Sequence, residues 1–173
     1  MSKLDILDPN PSEQLYSAIG QINFAWSILD ALVSAAFVAT LGGDAVEIGV
    51  TLGRLETKAK VEKLKKIYRH RKSTSKVKAL THMAQEIEAL KVLRNAITHG
   101  FYLGRSDQNE YCWSILPEFV ITDESSANEL FVATPQQMLD HAQRISLLAT
   151  IVYQHFDKAE LRKLFDVPSR VRS

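Results

Sequence analysis

A single apolar stripe near the N-terminus constrains the fold of this chain more than any other feature. Its members follow one another at alternating gaps of four and three, the spacing of a helix buried along its length in a bundle. They are Leu15, Ile19, Ile22, Trp26, Leu29, Val33, Ala36 and Thr40. Asn10-Pro11 supplies a cap and a first helical residue, and Gly42-Gly43 supplies a stop. The pattern predicts one core helix about 45 Å long, at ~1.5 Å per residue.

The same helix is apolar enough to raise the alternative of a membrane span. Asp30 near its middle argues against this alternative, because a charge is costly at the centre of a bilayer. We therefore expect a core helix and no membrane. Asn23 and Asp30 lie beside the stripe. They could sit at the edge of the core against a neighbouring helix, or they could line a functional cleft.

Helical periodicity recurs along much of the remaining chain, and one stretch interrupts it with strand-like alternation. Helices are predicted at about 44–52, 54–71, 76–99 and 135–156. We predict a mainly α fold, an up-and-down bundle of four to five helices with a small antiparallel β-meander inserted at about 101–133. The chain has 173 residues, a length that suits a single domain, 1–173, with a basic tail at 169–173.

Turn and cap residues give more local expectations. Residues 1–9 read as an irregular lead-in, Gly104–Asp107 as a polar turn and Phe119–Thr122 as a strand. Gly100 suits a left-handed residue after a helix. Thr134 is expected to cap the last helix, with Gln137 reaching back to complete a capping box.

Positive charge is concentrated in one segment, although the whole chain has a net charge of only +1. Residues 54–78 hold eleven of the 21 lysines and arginines and two of the 20 acids, which gives +9 there and −8 elsewhere. Such a segment indicates a local site for a polyanion. The alternative is an ordinary solvated helix face. The candidate RNA-binding cations are Lys58, Lys65, Lys66, Arg69 and Lys72.

Several classes of chemistry lack support in the sequence. Cys112 is the single cysteine and the five histidines are scattered, so no metal-ligand cluster is expected. The glycines lack the spacing of a phosphate-binding loop, and no Gly-x-Ser-x-Gly elbow is present. We expect no metal and no cofactor. Acids in the first eight residues argue against an export signal, and a lone cysteine fits a reducing cytoplasm.

The helix predicted to end near Gly100 has an unusual last stretch. Arg94, Asn95 and His99 are polar residues on a helix whose other side, at Leu90, Leu93 and Ile97, is apolar. Histidine can take or give a proton near neutral pH. The planar fork of arginine matches phosphate oxygens and can stabilise their charge in a transition state. These three residues are the candidate catalytic group.

Arg94-Asn95-x-x-x-His99 resembles the Arg-x4–6-His motif of the HEPN superfamily, whose members are helical domains and in many cases metal-independent ribonucleases. The resemblance implies an endoribonuclease that uses the 2′-hydroxyl of RNA as its nucleophile, with a role in defence or stress response as a toxin. It implies RNA as substrate and a homodimer with a composite active site. It also leaves room for a cognate antitoxin or another regulator.

Two points remain open at the level of sequence. Arg94 and His99 are five positions apart, about 140° around an ideal helix, so they are not expected to share a face. Asn95 could orient either the histidine or the RNA. The alternative function is a catalytically inactive HEPN-like module that dimerises and binds nucleic acid, nucleotide or a protein. In that case Arg94 could simply pair with Glu88 or Asp30, and His99 could interact with the helix dipole.

Overall fold

A computed structural model describes five ranges of the chain, namely residues 4–6, 12–53, 55–106, 110–115 and 129–156. The helices in these ranges are α1 (Glu13–Leu41), α2 (Ala45–Leu52), α3 (Thr57–His70), α4 (Thr74–His99) and α5 (Pro135–His155). The strands are β1 (Leu4–Ile6), β2 (Phe101–Ser106), β3 (Tyr111–Ile115) and β4 (Glu129–Ala133). The prediction of a mainly α fold with a small antiparallel sheet is confirmed. The predicted strand at 119–122, the Asn10 cap and the basic tail at 169–173 lie outside the described residues.

Helix α1 has the core stripe expected of it, with a small shift. Leu15, Ile22, Leu29 and Val33 are at most 1% exposed, but Ile19 and Trp26 are only half-buried. Ala18 and Ala25 are buried in addition. By length and composition alone α1 could cross a membrane, a test that buried core helices also pass.

Local capping explains where the helices begin and end. Asp44 accepts hydrogen bonds from the backbone of Val46 and Glu47 at the start of α2. Thr134 and Gln137 form the predicted capping box, with bonds of 3.2 and 2.8 Å between each side chain and the other residue's backbone N–H. Gly42, with φ +69°, ends α1 as expected. The expectation of a left-handed residue at Gly100 was wrong, because the chain passes directly from the last turn of α4 through Gly100 into β2. Among the described glycines, Gly42 and Gly104 have a positive φ.

The sheet is antiparallel, with the strand order β1-β2-β3-β4. Two local predictions were wrong here. Leu4–Ile6 is a strand, because the outer edge of β2 pairs with it through Ser106 and Gly104. Gly104 does not begin a turn. It lies inside β2 at a register irregularity, with a φ of +131° that favours glycine.

The chain divides into two compact units, and the single-domain hypothesis remains a prediction. The first unit comprises Met1–Phe24 and Leu90–Arg144, and the second comprises Ala25–Ala89 and Ile145–Ser173. In the first unit, the described residues form the sheet together with parts of α1, α4 and α5. Ser12 links two of these elements, since its hydroxyl accepts from the backbone of Leu15 and bonds Tyr111 Oη at 2.6 Å.

In the second unit, α3 is held to α1 by a polar cluster. Lys60 is 4% exposed and its Nζ donates to both carboxylate oxygens of Asp30, at 2.9 and 2.8 Å, and to Ser34 Oγ at 3.0 Å. Thr57 adds a fourth bond, to Asp30 Oδ1 at 2.7 Å. All three ammonium protons therefore have partners, which is the condition for burying a charge.

Candidate functional site

The candidate catalytic residues lie on the last part of α4. Leu90, Leu93, Ala96 and Ile97 are buried, so this part of the helix is anchored by its apolar side, as the sequence predicted. On the other side Arg94 and Asn95 are half-buried, and Thr98 and His99 are exposed. The exposure decreases from the tip of the helix inward. A rigid core helix thus carries one accessible imidazole and one partly sheltered guanidinium.

Arg94, Asn95 and His99 converge through the arginine. Nη1 of Arg94 donates to Oδ1 of Asn95 at 3.0 Å and lies 3.5 Å from Nε2 of His99. The expectation that Arg94 and His99 do not share a helix face is not contradicted by this contact. Backbone angle separates them, but the long arginine side chain carries its guanidinium around the helix. The amide of Asn95 accepts from the guanidinium and orients it, which is neither of the two roles that the sequence analysis left open for Asn95.

The contact between Arg94 and His99 depends on the tautomer of the imidazole. A guanidinium has donors only, so the contact is attractive when Nε2 carries no proton and Nδ1 carries the proton of the neutral ring. A separation of 3.5 Å is at the long end for a hydrogen bond. The interaction is therefore weak enough to be exchanged for a contact with a ligand.

One residue of α1 also contacts this helix end. Thr98 Oγ1 donates to Oδ1 of Asn23 at 3.1 Å. Asn23 is half-buried and follows the fully buried Ile22. This contact with a neighbouring helix agrees with the first of the two roles left open for Asn23, and it also places Asn23 near the candidate site.

His141 of α5 is a residue that sequence reasoning did not single out. Its Nε2 lies 2.8 Å from the carbonyl oxygen of Leu90, the acceptor that also serves the backbone N–H of Arg94 in an α-helix. Burial lowers the pKa of His141, and the positive charge of Arg144 lowers it further, against an opposing effect of the backbone bond. His141 thus acts as a neutral donor that fixes α5 to α4 one turn before Arg94.

The two acids considered as alternative partners for Arg94 bind lysines. Asp30 is held by Lys60, and Glu88 forms an ion pair with Lys58 at 2.9 Å. Asp30 therefore contacts a neighbouring helix within the second unit, the first of the two roles left open for it. Its carboxylate balances a buried lysine.

The candidate RNA-binding cations lie on and just after α3, in the second unit, and they fall into two groups. Lys58 is paired with Glu88, and Lys65 is paired with Glu62. Lys66, Arg69 and Lys72 are exposed, and the described residues show no ion pair for them. Lys63 belongs with this second group. Its spacing of three residues from Lys66 puts it on the same helix face, a signal that was available in the sequence.

One of these exposed cations, Lys72, has a left-handed backbone conformation just after the end of α3. Lys72 has a φ of +56°, and Ser73 N–H bonds the carbonyl of Tyr68 while Lys72 N–H bonds that of Arg69. This is a Schellman motif, in which glycine is the usual residue at the left-handed position. A lysine there is strained by about 1–2 kcal/mol relative to the right-handed conformation.

The chain offers no evident place for a metal ion among the residues that the structure describes, where no group of three or more potential ligands occurs. Two surface depressions have been located. A groove of about 430 Å³ in the first unit is lined by Gln14, Ser17 and Thr134 among others, and a cleft of about 310 Å³ in the second unit by Ile28, Leu32 and Tyr153 among others. Arg94, Asn95 and His99 line neither of these two depressions.

Comparisons of the chain with protein-family models, with curated proteins and with solved structures found no match.

Proposed function

We propose that this chain is a metal-independent endoribonuclease of the HEPN type, acting in defence or stress response. The observation that carries the proposal is the contact of one guanidinium, that of Arg94, with both Asn95 and His99 at an exposed helix end. A cation and a titratable ring side by side are what phosphodiester cleavage requires in the absence of a metal.

In the proposed reaction the 2′-hydroxyl of RNA attacks the adjacent phosphorus. A histidine takes the proton of the hydroxyl, the O2′–P bond forms and the P–O5′ bond breaks. A second acid gives a proton to the departing O5′. The products are a 2′,3′-cyclic phosphate and a 5′-hydroxyl end. Arg94 stabilises the additional negative charge on the phosphorane through its fork of N–H donors, while Asn95 keeps the fork oriented.

The reaction needs a base and an acid, and one copy of the motif supplies one histidine. A homodimer that brings two motifs together would supply both. The exposure of His99, which leaves its imidazole accessible to a second copy, supports this requirement. We therefore propose a composite site in a homodimer, located in the cytoplasm, with an antitoxin or regulator as a further partner.

The exposed cations of α3 favour a second candidate function. Lys63, Lys66, Arg69 and Lys72 could hold an RNA backbone whether or not the motif cleaves it. The alternative is therefore an inactive HEPN-like module that binds nucleic acid. In that case the chain would bind RNA, and Arg94 and His99 would not cleave it.

Cleavage of a mixed RNA pool by purified protein in EDTA tests the proposal. Wild type should produce 2′,3′-cyclic phosphate ends, and His99→Ala should produce none while keeping its melting temperature and oligomeric state. His82→Ala is a matched control, because His82 is an exposed histidine on the same helix. Equal cleavage by wild type and His99→Ala would contradict the proposal, and binding without cleavage by wild type would favour the alternative.

A further inference from the structure

Thr98 departs from the usual behaviour of hydroxyl residues in the helices of this protein. A serine or threonine inside a helix commonly donates to the carbonyl four residues earlier. Five residues here do so at 2.6–3.0 Å, namely Ser34, Thr40, Thr51, Thr81 and Thr150. Thr98 instead donates to Asn23 on another helix. Its hydroxyl has a single proton, so the tertiary contact replaces the local one.

The contact between Thr98 and Asn23 lies in the last turn of α4. The last turn of a helix frays readily, because its carbonyls lack partners within the helix. Gly100 N–H closes the last turn of α4 on the carbonyl of Ala96 at 2.9 Å, and Thr98 lies inside that turn. A bond from Thr98 to a half-buried residue of α1 therefore holds the segment that carries His99.

His99 has little else to hold it. Its side chain is exposed, and the 3.5 Å contact with Arg94 is weak. The direction of the imidazole thus depends on the backbone of the last turn. Thr98 is also four residues after Arg94, so the same bond steadies the part of the helix from which the Arg94 side chain extends.

We infer that Asn23 is a positioning residue for His99, acting through the hydroxyl of Thr98. It touches neither RNA nor the reacting atoms. It keeps the last turn of α4 closed, so that His99 stays within reach of the phosphate that Arg94 holds. This inference rests on the proposed ribonuclease function for its catalytic consequence, but not for the tie itself.

The test combines activity with a measurement that needs no substrate. Thr98→Val keeps the shape of the side chain and removes the hydroxyl, while Thr98→Ser keeps the hydroxyl. Thr81→Val is the matched control, since Thr81 is a half-buried threonine of α4 whose hydroxyl bonds only within its own helix. Hydrogen exchange of the Gly100 amide reports opening of the last turn.

Thr98→Val and Asn23→Ala should each speed exchange at Gly100 by about tenfold, which corresponds to roughly 1.4 kcal/mol. Each should also lower kcat by a similar factor with KM little changed, because substrate affinity comes from other residues. Thr98→Ser should restore both quantities. The double variant should be no worse than Asn23→Ala alone, since the loss of Asn23 already removes the bond to Thr98.

Unchanged exchange at Gly100 in Thr98→Val would overturn the inference, whatever the activity. Faster exchange with wild-type kcat would overturn the positioning role. Failure of the proposed function looks different, because wild type and His99→Ala would then cleave equally. In that case the exchange data alone would still decide whether Asn23 holds the helix end.

Discussion

Arg94 Nη1 lies 3.5 Å from Nε2 of His99, although the two residues are five positions apart on one helix. Asn95 holds the same nitrogen at 3.0 Å, so a single guanidinium joins the two other polar residues of the motif. Two chemically distinct groups, a permanent cation and an imidazole, are thereby brought together by contacts within α4.

Replacement of Arg94 by lysine should lower cleavage strongly. Arg94→Lys keeps the charge but loses the planar fork that contacts Asn95 and reaches His99. We expect a loss of roughly 10²-fold in kcat, of the order seen when one oxyanion donor is removed. Single-turnover cleavage and the melting temperature should be measured together. Near wild-type kcat would mean that charge alone is sufficient and that the fork has no role.

The buried pair of Lys60 and Asp30 should dominate the electrostatic stability of the second unit. Lys60→Met fills a similar volume but leaves Asp30 with one hydrogen-bonding partner, Thr57, from this cluster. Because the Asp30 side chain is 36% exposed, water offsets part of the loss, and we expect about 2 kcal/mol of destabilisation. Urea denaturation measures it. Lys63→Met, at an exposed position of the same helix, should change the free energy of unfolding by less than about 0.5 kcal/mol.

The left-handed lysine that ends α3 should be replaceable with a gain in stability. Lys72→Gly relieves the strain at φ +56°, partly offset by the greater freedom of glycine in the unfolded chain, for a net gain of about 0.5–1 kcal/mol. Lys66→Gly, inside the same helix, should instead cost about 1 kcal/mol. Thermal unfolding of both variants tests the contrast. A destabilised Lys72→Gly would mean that its side chain makes a contact worth more than the strain.

Affinity for RNA should depend on the exposed cations of α3 more than on the paired ones. Lys66→Ala with Arg69→Ala removes two exposed charges, whereas Lys58→Ala with Lys65→Ala removes two that are already partnered by Glu88 and Glu62. The first double variant should reduce the slope of log K against log salt by roughly 1.4, at about 0.7 per phosphate contact on a single strand. The second should reduce it less. Equal slopes for the two double variants would show that the exposed cations of α3 do not contact the RNA phosphates.

Stability should decline in mild acid because of His141. Its pKa is lowered below the ordinary 6.5 in the folded chain, so the folded state binds fewer protons than the unfolded state between the two values. The contribution is fully present above about pH 6.5 and is lost as the pH falls through the folded pKa. His141→Gln keeps an N–H donor for Leu90 and should flatten this part of the pH profile. Chemical denaturation at pH 7.5 and 5.5 measures the difference, with His82→Gln as the control that should keep the wild-type profile.

The sequence by itself determined the features that depend on neighbours within one or two turns. The stripe of α1, the capping box of Thr134 and Gln137, and the apolar side of α4 beneath Arg94 all follow from periodicity and caps. The sequence did not predict that Ala18 and Ala25 are buried while Ile19 and Trp26 are only half-buried. Periodicity places an apolar stripe on a helix, but it does not tell which edge of the stripe faces the core.

Only the tertiary structure decided which polar groups meet. Ser12 bonds Tyr111 across 99 positions, Thr98 bonds Asn23 across 75, and Lys60 bonds Asp30 across 30. Leu4–Ile6 likewise forms a strand because it pairs with the outer edge of β2. The sequence of these three residues alone cannot reveal that partner. A local pattern reports the preference of the backbone, whereas the partner of a side chain depends on how distant segments pack. The bond between Thr98 and Asn23, and the division of the α3 cations into paired and exposed ones, belong to this second category.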